Sequence, residues 1–299
     1  MIIPQLEGLT LTKAHGAGND FILVPDPSGQ RTIPAEAVAQ VCDRHFGIGA
    51  DGLIRIVRTA TVPEVAHMAD QAEWFMDYRN ADGSLAEMCG NGVRVFVHYL
   101  RIQGFIDMAP GDHVAVATRG GIKDVCFDAP YYTVDMGPYE LPDGVATSHT
   151  VGLDGVSLPG LAVDMPNPHV VVELQDVADL EAVTWTPTPT HDPEPSNGTN
   201  LEIMVRTGEE TEEDGTVHGL VTMRVLERGV GETLACGTGT CAVAVAAMLS
   251  APDAPSRYRI TTPGGELIVR IEGQNCYLTG PAILVAEVGL IGLPGYSEE

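Results

Sequence analysis

The chain has 299 residues, enough for two domains of ordinary size that each bury a core. Its net charge of -25 argues against nucleic acid and anionic membranes as partners, because both recruit clustered Lys and Arg. No apolar run reaches the roughly 18 residues that span a bilayer. The first residues also lack the charged and apolar regions of a secretory signal, so we expect a globular protein of the cytoplasm.

The first half is predicted to alternate short strands with two helices. Buried strands are predicted at 21–24, 53–57 and 73–78, because these stretches are short and apolar. Helices are predicted at 34–46, which has proline in its first turn, and at 93–100. The second helix directly continues the motif Cys89-Gly90-Asn91-Gly92.

The second half repeats this plan after a linker predicted near 137–160. The proline-rich stretch 185–196 is predicted to be a loop, and the acidic stretch 209–215 a solvated hairpin loop. A helix is predicted at 240–249, directly after Cys236-Gly237-Thr238-Gly239. That helix is apolar on every face, which predicts that it is buried on every side.

Matching positions show that the two halves are related. Residues 76–92 match residues 223–239 at an offset of 147, and this match aligns Cys89 with Cys236. At an offset of 148, Asn19 matches Asn167, Phe21 matches His169, and Gly52-Leu53 matches Asn200-Leu201.

The repeat predicts an α/β (α+β) fold with two pseudo-symmetric domains. Each domain is predicted to be a curled, mostly antiparallel sheet around a central buried helix, with the active site in the cleft between the domains. The first domain comprises residues 1–136 and 281–299 and carries Cys89. The second comprises residues 137–280 and carries Cys236.

The paired cysteines indicate acid–base chemistry. A cysteine at the start of a helix is expected to have its thiol pKa lowered from about 8.5 toward neutrality. The N–H groups there also attract a carboxylate. Two such helix ends facing one ligand would place a sulfur on each side of the carbon beside its carboxylate, where one sulfur removes a proton and the other returns one.

Cofactor motifs are not found in the sequence. The six cysteines form neither a disulfide ladder nor a Cys-x-x-Cys zinc pair, so free thiols are expected. Lys13 and Lys123 are the only lysines, and neither lies in a pyridoxal motif. Glycine-rich nucleotide loops are also missing. We therefore expect an enzyme without cofactor or metal.

Several polar residues near the motifs suit a zwitterionic ligand. Glu227 offers a partner for an ammonium group, and Arg228 offers a clamp for a carboxylate. A surface ion pair is the structural alternative for these two residues, and His169 is equally compatible with a structural role. Asparagine both donates and accepts, although each one is individually common in turns, and the repeat or motif positions hold five: Asn19, Asn80, Asn91, Asn167 and Asn200.

These motifs resemble the diaminopimelate epimerase family along nearly the whole chain. In the first half the resemblance is carried by residues 15–21, 47–52, and 80–84 running to 89–92. In the second half it is carried by residues 166–169, 197–200, and 227–233 running to 236–239.

The resemblance implies a cofactor-independent epimerase that interconverts LL- and meso-diaminopimelate in lysine and peptidoglycan precursor biosynthesis. It implies that Cys89 and Cys236 are the catalytic acid–base pair, and it implies a homodimer. Some family members carry glutamine at the position of Gly52. The substrate contacts it implies are Asn19, Asn80, Gly90, Asn91, Asn167, Asn200, Glu227, Arg228, Gly237 and Thr238, with His169 in support.

Two alternatives remain open from the residues. One is a related two-cysteine racemase, for proline or another amino acid, although Arg228 with Asn80 and Asn200 favours a substrate with a second carboxylate. The other is a thiol redox protein in which Cys89 and Cys236 form a disulfide. A disulfide needs the sulfurs about 2 Å apart, whereas proton transfer across a carbon needs roughly 6–7 Å.

Overall fold

The structure, a computed structural model, describes residues 3–291, and the chain divides into two compact units. Unit 1 extends to Val134 and resumes from Pro281, whereas unit 2 extends from Asp135 to Gly280. The predicted first domain also included residues 1, 2 and 292–299, which lie outside the described residues. No helix of the described part is long and apolar enough to cross a membrane.

Strands dominate the chain up to residue 138. Three single-turn 3₁₀ helices lie at Pro4–Leu6, Thr59–Thr61 and Ala66–Met68. The strands and α-helices are β1 (Thr10–Gly16), β2 (Asn19–Pro25), α1 (Ala35–Cys42), β3 (Gly52–Arg58), β4 (Trp74–Asn80), α2 (Gly90–Ile102), β5 (His113–Thr118), β6 (Gly121–Asp128) and β7 (Tyr131–Pro138).

Strands also dominate the rest of the described chain. Its elements are β8 (His149–Leu153), β9 (Val156–Asp164), β10 (Pro168–Glu173), α3 (Val177–Ala182), β11 (Thr190–Asp192), β12 (Asn200–Thr211), β13 (Val217–Glu227), β14 (Gly231–Thr233), α4 (Gly237–Leu249), β15 (Arg257–Thr262), β16 (Gly265–Glu272), β17 (Asn275–Gly280) and β18 (Ile283–Gly289).

Strand pairing repeats between the units, in agreement with the sequence repeat. In unit 1, β2 and β3 are parallel with Phe21 opposite Gly52; in unit 2, β10 and β12 are parallel with His169 opposite Asn200. The antiparallel pair β3–β4 corresponds to β12–β13, and the parallel pair β4–β5 corresponds to β13–β15. The predicted fold class is confirmed.

A helix packs at the centre of each unit's strands. In unit 1, α2 contacts β1 to β4, β6 and β18, and in unit 2, α4 contacts β9, β10, β12, β13 and β15 to β17. Every residue from Cys241 to Ala247 is buried, which confirms the predicted burial of this apolar helix. α2 differs because it buries the guanidinium of Arg94 completely.

The helix predicted at 34–46 is shorter than expected. Pro34 is its N-cap, and α1 ends at Cys42. The Asp43 carboxylate accepts from the backbone N–H groups of His45 and Phe46, at 2.7 Å each, and so closes a tight turn. Side-chain hydrogen bonds of this kind compete with the helical pattern, and they end the helix here.

Two stretches predicted to be irregular contain strands. The predicted linker 137–160 includes β8 and the start of β9, so its Gly, Pro and Ser residues lie within and around a hairpin. The predicted loop 185–196 includes β11, where three residues between prolines pair with β8. The acidic stretch does form a hairpin, but Glu209 to Thr211 continue β12, and the turn proper closes where Glu212 N donates to Thr216 O at 2.8 Å.

Candidate active site

Each unit places one cysteine at the N-terminus of its buried helix. Cys89 is the N-cap of α2, and Cys236 is the N-cap of α4. Both cysteines have extended backbones and are partly exposed, and all six cysteines of the chain are thiols. The first N–H groups of a helix have no intrahelical acceptor. Each thiol therefore sits beside backbone donors suited to an anion.

Asn19 orients the thiol of unit 1. The Cys89 Sγ donates to Asn19 Oδ1 at 3.3 Å, and Asn91 Nδ2 approaches the same oxygen at 3.4 Å. On the other side, Asn19 Nδ2 donates to Asp51 Oδ2 at 2.8 Å. Because a carboxylate only accepts, this bond holds the amide nitrogen away from the sulfur and the amide oxygen toward it.

Asp51 belongs to a charged cluster that fixes the loop around Asn19. Arg44 Nη2 binds Asp51 Oδ1 at 2.7 Å and Asp20 Oδ1 at 2.8 Å, and Lys13 Nζ binds Asp20 Oδ2 at 2.5 Å. The backbone N–H of Asp51 donates to Asp20 Oδ1 at 2.9 Å, and that of Asp20 donates to Asp51 Oδ2 at 3.0 Å. The two carboxylates thus link β2 to the residue that precedes β3.

Asp20 is expected to make the fold sensitive to acid. Burial raises the pKa of its carboxyl, but Arg44 and Lys13 outweigh burial and lower the pKa to about 2. Because an unfolded aspartate titrates near 3.9, this group contributes about 2 kcal/mol above pH 5, and the contribution is lost as the pH falls toward 2. Urea unfolding at pH 5 and pH 3 should show a smaller difference for Asp20→Asn than for the wild type. An equal difference in the two proteins, or the same reduction in the exposed control Asp70→Asn, would contradict this assignment.

Arg94 supports the first turn of α2 from within the core. Its Nη2 donates to Asn91 Oδ1 at 2.7 Å, and its other nitrogens approach the carbonyls of Gly90 and Pro281 at 3.4 Å. Asn91 is itself fully buried. Its amide oxygen therefore faces Arg94, and its amide nitrogen faces Asn19.

Asn80 and Gly52 lie at neighbouring positions of β4 and β3, but outside this network. The Asn80 side chain donates to Ser84 Oγ at 3.0 Å and closes the turn after β4. A Cβ at Gly52 would overlap the backbone oxygen of Arg79 and lie 2.6 Å from the ring of Tyr78. The Tyr78 ring also packs edge-on against Phe21, with centroids 5.7 Å apart. In this chain the tyrosine occupies the space that a side chain at position 52 would need.

The environment of Cys236 opposes ionisation of its thiol. Burial, followed by the carboxylates of Glu227 and Glu202, raises the pKa of Cys236 well above its usual value. Thr238 Oγ1 at 3.4 Å and the backbone N–H of Gly239 at 3.5 Å act in the opposite direction but do not offset this. The expectation that the helix N-terminus lowers this pKa is wrong for Cys236, because burial of the thiol and, after it, the carboxylates of Glu227 and Glu202 raise the pKa.

His169 forms a fully buried pair with Glu202. The His169 Nδ1 lies 2.7 Å from Glu202 Oε1, and both side chains have no exposed surface. The other ring nitrogen, Nε2, lies 3.2 Å from Asn167 Oδ1. Asn167 and His169, both predicted for the site, are therefore in direct contact, and their role in binding substrate stays a prediction.

Asn200 holds the loop that carries Arg228. Its Nδ2 donates to Pro168 O at 3.1 Å, and its Oδ1 accepts from the backbone N–H of Arg228 at 2.9 Å. The exposed Arg228 guanidinium donates to Asn197 O at 2.9 Å. Glu227 Oε1 accepts a short hydrogen bond from Thr233 Oγ1. Hydrogen bonds to Thr233, Asn197 and Asn200 thus fix Glu227 and Arg228 at the end of β13.

Three well-placed residues were not predicted for the site. Asp51 lies inside one of the family-like stretches, and Glu202 is a lone acid in the apolar strand run Leu201–Val205; both signals were present in the sequence. Arg94 gave only the weaker signal of a charge on an otherwise apolar helix. Among residues 3–291, no group of three or more His, Cys, Asp or Glu side chains is arranged to hold a metal ion.

Comparison with known proteins identifies the family. The family model described as diaminopimelate epimerase matches residues 11–142 and 161–285. The chain belongs to the diaminopimelate epimerase family. A diaminopimelate epimerase of Streptomyces coelicolor is 44% identical, over 93% of this chain and 94% of its own. Those of Corynebacterium glutamicum and Mycobacterium leprae are 41% and 37% identical, over 93% and 97% of this chain and 96% and 98% of theirs.

Solved structures at low identity share the fold. A PhzF-family phenazine biosynthesis protein of Bacillus anthracis aligns with a TM-score of 0.64 at 16% identity, over 95% of this chain and 99% of its own. A hydroxyproline epimerase of Agrobacterium vitis aligns with a TM-score of 0.57 at 15% identity, over 93% and 90%. At such identities the likeness concerns the fold alone.

Proposed function

We propose that this protein interconverts LL- and meso-diaminopimelate by a two-thiol proton transfer that uses no cofactor. The observation that carries the proposal is the symmetric placement of Cys89 and Cys236 as N-caps of two equivalent buried helices. Membership of the diaminopimelate epimerase family supports the choice of substrate.

The reaction moves one proton off a carbon and one proton onto it. One sulfur, as thiolate, takes the α-proton, so that a C–H bond breaks and an S–H bond forms. The other sulfur, as thiol, delivers its proton to the opposite face of the same carbon. Nothing is oxidised or reduced, and the configuration is inverted. The mechanism requires the two units to present their sulfurs to opposite faces of one substrate.

The surroundings of Cys236 favour the role of proton donor in the resting protein. Its pKa is raised by burial and by Glu227 and Glu202, so the thiol form prevails near neutral pH. In the direction of reaction where Cys89 removes the proton, Cys236 then delivers one. In the opposite direction, where Cys89 is the thiol that delivers the proton, Asn19 Oδ1 accepts from the Cys89 Sγ and so aims its S–H group.

The helix N-termini and the polar residues supply substrate contacts. We assign the carboxylate beside the reacting carbon to the N–H groups that begin α2 and α4, at Gly90, Asn91, Gly237 and Thr238. The backbone N–H of Arg228 donates to Asn200 Oδ1 and its guanidinium donates to Asn197 O, while the side chain is exposed, which suits a second carboxylate. Glu227 would accept from a substrate ammonium, and the amides of Asn80, Asn167 and Asn200 complete the polar lining.

The test uses purified protein and LL-diaminopimelate in heavy water, without added cofactor. We expect meso-diaminopimelate that carries deuterium at the inverted centre and at no other carbon. L-Lysine, which lacks the second carboxylate, and L-proline serve as control substrates and should not be inverted. Product without solvent deuterium would contradict the two-thiol transfer. Inversion of proline instead of diaminopimelate would establish a related racemase.

The homodimer, which the family resemblance implies, and the location in the cytoplasm, which the sequence led us to expect, remain predictions. A small-molecule substrate agrees with the family, whereas the expected lack of nucleic-acid and membrane partners rests on the net charge of -25.

A further inference from the structure

Unit 2 contains a cleft of about 730 Å³ at the C-terminal end of α4. Ala247, in the last turn of α4, lines this cleft, whereas Cys236 caps the opposite end of the helix. At a rise of about 1.5 Å per residue, the two positions lie roughly 17 Å apart along the helix. Of the described residues, none that we assign to the substrate lines the cleft. We call it the β12–α4 cleft, and its lining includes Glu173, Arg206, Glu209, Ala247, Asp253 and Tyr258.

An irregularity in the β12–β13 pair shapes the β12–α4 cleft. The register shifts between Arg206 and Gly208, so an extra residue bulges from β12. Gly208 has a φ of +143°, which favours glycine, and a Cβ built there would meet no atom within 4 Å. On the paired strand, a Cβ at Gly219 would lie 2.5 Å from Tyr258 Cε1. The missing side chains at Gly208 and Gly219 therefore leave the cleft open and give the Tyr258 ring its place.

Tyr258 presents an unsatisfied hydroxyl to the β12–α4 cleft. The residue is almost completely buried, and its hydroxyl has no hydrogen-bond partner among residues 3–291. The charged groups that act on this hydroxyl are Arg206 and Glu209, which both line the cleft. Burial raises the pKa of Tyr258 to about 12, so the hydroxyl keeps its proton near neutral pH. Because an unpaired buried donor is unfavourable, this hydroxyl indicates a ligand that accepts a hydrogen bond.

The charges around the β12–α4 cleft favour a cation. Arg206 Nε donates to Glu173 Oε1 at 2.7 Å, so these two charges offset each other. Glu209 and Asp253 have neither an ion pair nor a side-chain hydrogen bond within the described part of the chain. The C-terminus of α4 adds a partial negative charge, and its last turn holds no basic residue. Two carboxylates and a helix C-terminus thus surround a space to which the described chain brings no unpaired cation.

We propose that the β12–α4 cleft binds a small alkylammonium compound that also carries a hydrogen-bond acceptor. The ammonium group donates to Glu209 and Asp253, and the acceptor receives the hydrogen bond of the Tyr258 hydroxyl. The alkyl chain packs on Leu220 and Ala247, which line the same cleft. This site is separate from the two cysteines, and it does not depend on the proposed reaction.

Isothermal titration calorimetry of the full chain with 5-aminopentanol tests the proposal. We expect saturable binding with a Kd at or below about 1 mM, and at least about tenfold weaker binding of pentanol, which lacks the charge. The double variant Glu209→Gln/Asp253→Asn should weaken binding of 5-aminopentanol by about tenfold or more, and Tyr258→Phe by about fivefold. The control Glu213→Gln, an exposed acid outside the cleft, should leave the Kd within about twofold of the wild type.

Circular dichroism verifies that each variant is folded. Binding of 5-aminopentanol that does not saturate by about 10 mM would overturn the proposal. Equal affinity for pentanol, or an unchanged Kd in Glu209→Gln/Asp253→Asn or in Tyr258→Phe, would overturn it as well.

Amide chemical shifts of the ¹⁵N-labelled protein locate the bound probe. On addition of 5-aminopentanol we expect the largest shifts at Gly208 and Gly219, which line the β12–α4 cleft. The amides of Gly90 and Gly237, at the N-termini of α2 and α4, should not shift. Largest shifts at Gly90 or Gly237 would place the probe beside the cysteines and overturn the proposal. This result is independent of whether the protein epimerises diaminopimelate.

Discussion

Replacing Cys89 or Cys236 with serine is expected to lower the epimerisation rate by about a thousandfold or more. Each sulfur exchanges a proton with the α-carbon in the proposed mechanism, and general acid–base steps contribute about 10²–10⁴-fold each. A serine hydroxyl is a far weaker acid than a thiol, so it neither delivers nor accepts the proton efficiently near neutral pH. Both single variants should therefore fail in both directions of the reaction.

The measurement is the initial rate from LL-diaminopimelate and from meso-diaminopimelate, with circular dichroism to verify the fold. Cys126→Ser is the matched control, because Cys126 is also a partly buried thiol but lies within strand β6 and not at the N-terminus of a helix. We expect this control to retain the wild-type rate. Retention of most of the rate by either Cys89→Ser or Cys236→Ser would show that the assignment of two catalytic thiols is wrong.

Replacing Asp77 with alanine is expected to cause the largest loss of stability among single polar substitutions in unit 1. The Asp77 carboxylate is fully buried on β4 and binds Arg119 Nη2 at 2.7 Å and Arg55 Nε at 2.8 Å, with Arg79 Nε at 3.6 Å. Burial raises the pKa of Asp77, but the three guanidinium groups outweigh burial and lower it. Removing the carboxylate leaves these cations without their shared anion, at a cost of about 3–5 kcal/mol.

Urea unfolding near neutral pH measures this loss. The control is Glu73→Gln on the exposed pair Arg58–Glu73, which should change the free energy of unfolding by no more than about 1 kcal/mol. The cost of Asp77→Ala should also shrink as the pH falls below 4, because a lowered aspartate pKa stabilises the fold only while the carboxylate is ionised. A loss of the same size as in the control would show that the cluster contributes little.

Much of the fold could be predicted from the sequence, because the two units share the same order of strands and helices and the same residue patterns. An apolar helix such as α4 is stable only when it is buried on all sides. The matched cysteines indicated the two helix N-termini, although α2 and α4 begin at Gly90 and Gly237, three residues before the predicted starts at 93 and 240. The pairing of Phe21 with Gly52 and of His169 with Asn200 follows the repeat offset residue by residue. Helix ends were less predictable: the stop at Cys42 depends on one aspartate side chain that binds two backbone N–H groups.

The electrostatics of the site could not be obtained from the motif alone. A helix N-terminus lowers a thiol pKa when no acid lies nearby, but Glu202 and Glu227 reach Cys236 from two strands that precede it in the chain. Neither their distance to the sulfur nor the burial of the thiol follows from the Cys-Gly-x-Gly pattern. The same holds for Asp51 and Arg94, because their partners Asn19 and Asn91 are set by strand and helix packing.

The pairing of the first strand with the last has a consequence for how the protein forms during synthesis. β1 lies antiparallel to β18, with Thr10 opposite Gly289, and all of unit 2 lies between them along the chain. Nascent domains generally fold in the order in which they emerge from the ribosome. Here we expect the reverse order. Residues 135–280 can fold before β18 has been synthesised, whereas β1 cannot pair with β18 until then, so unit 1 completes its fold last.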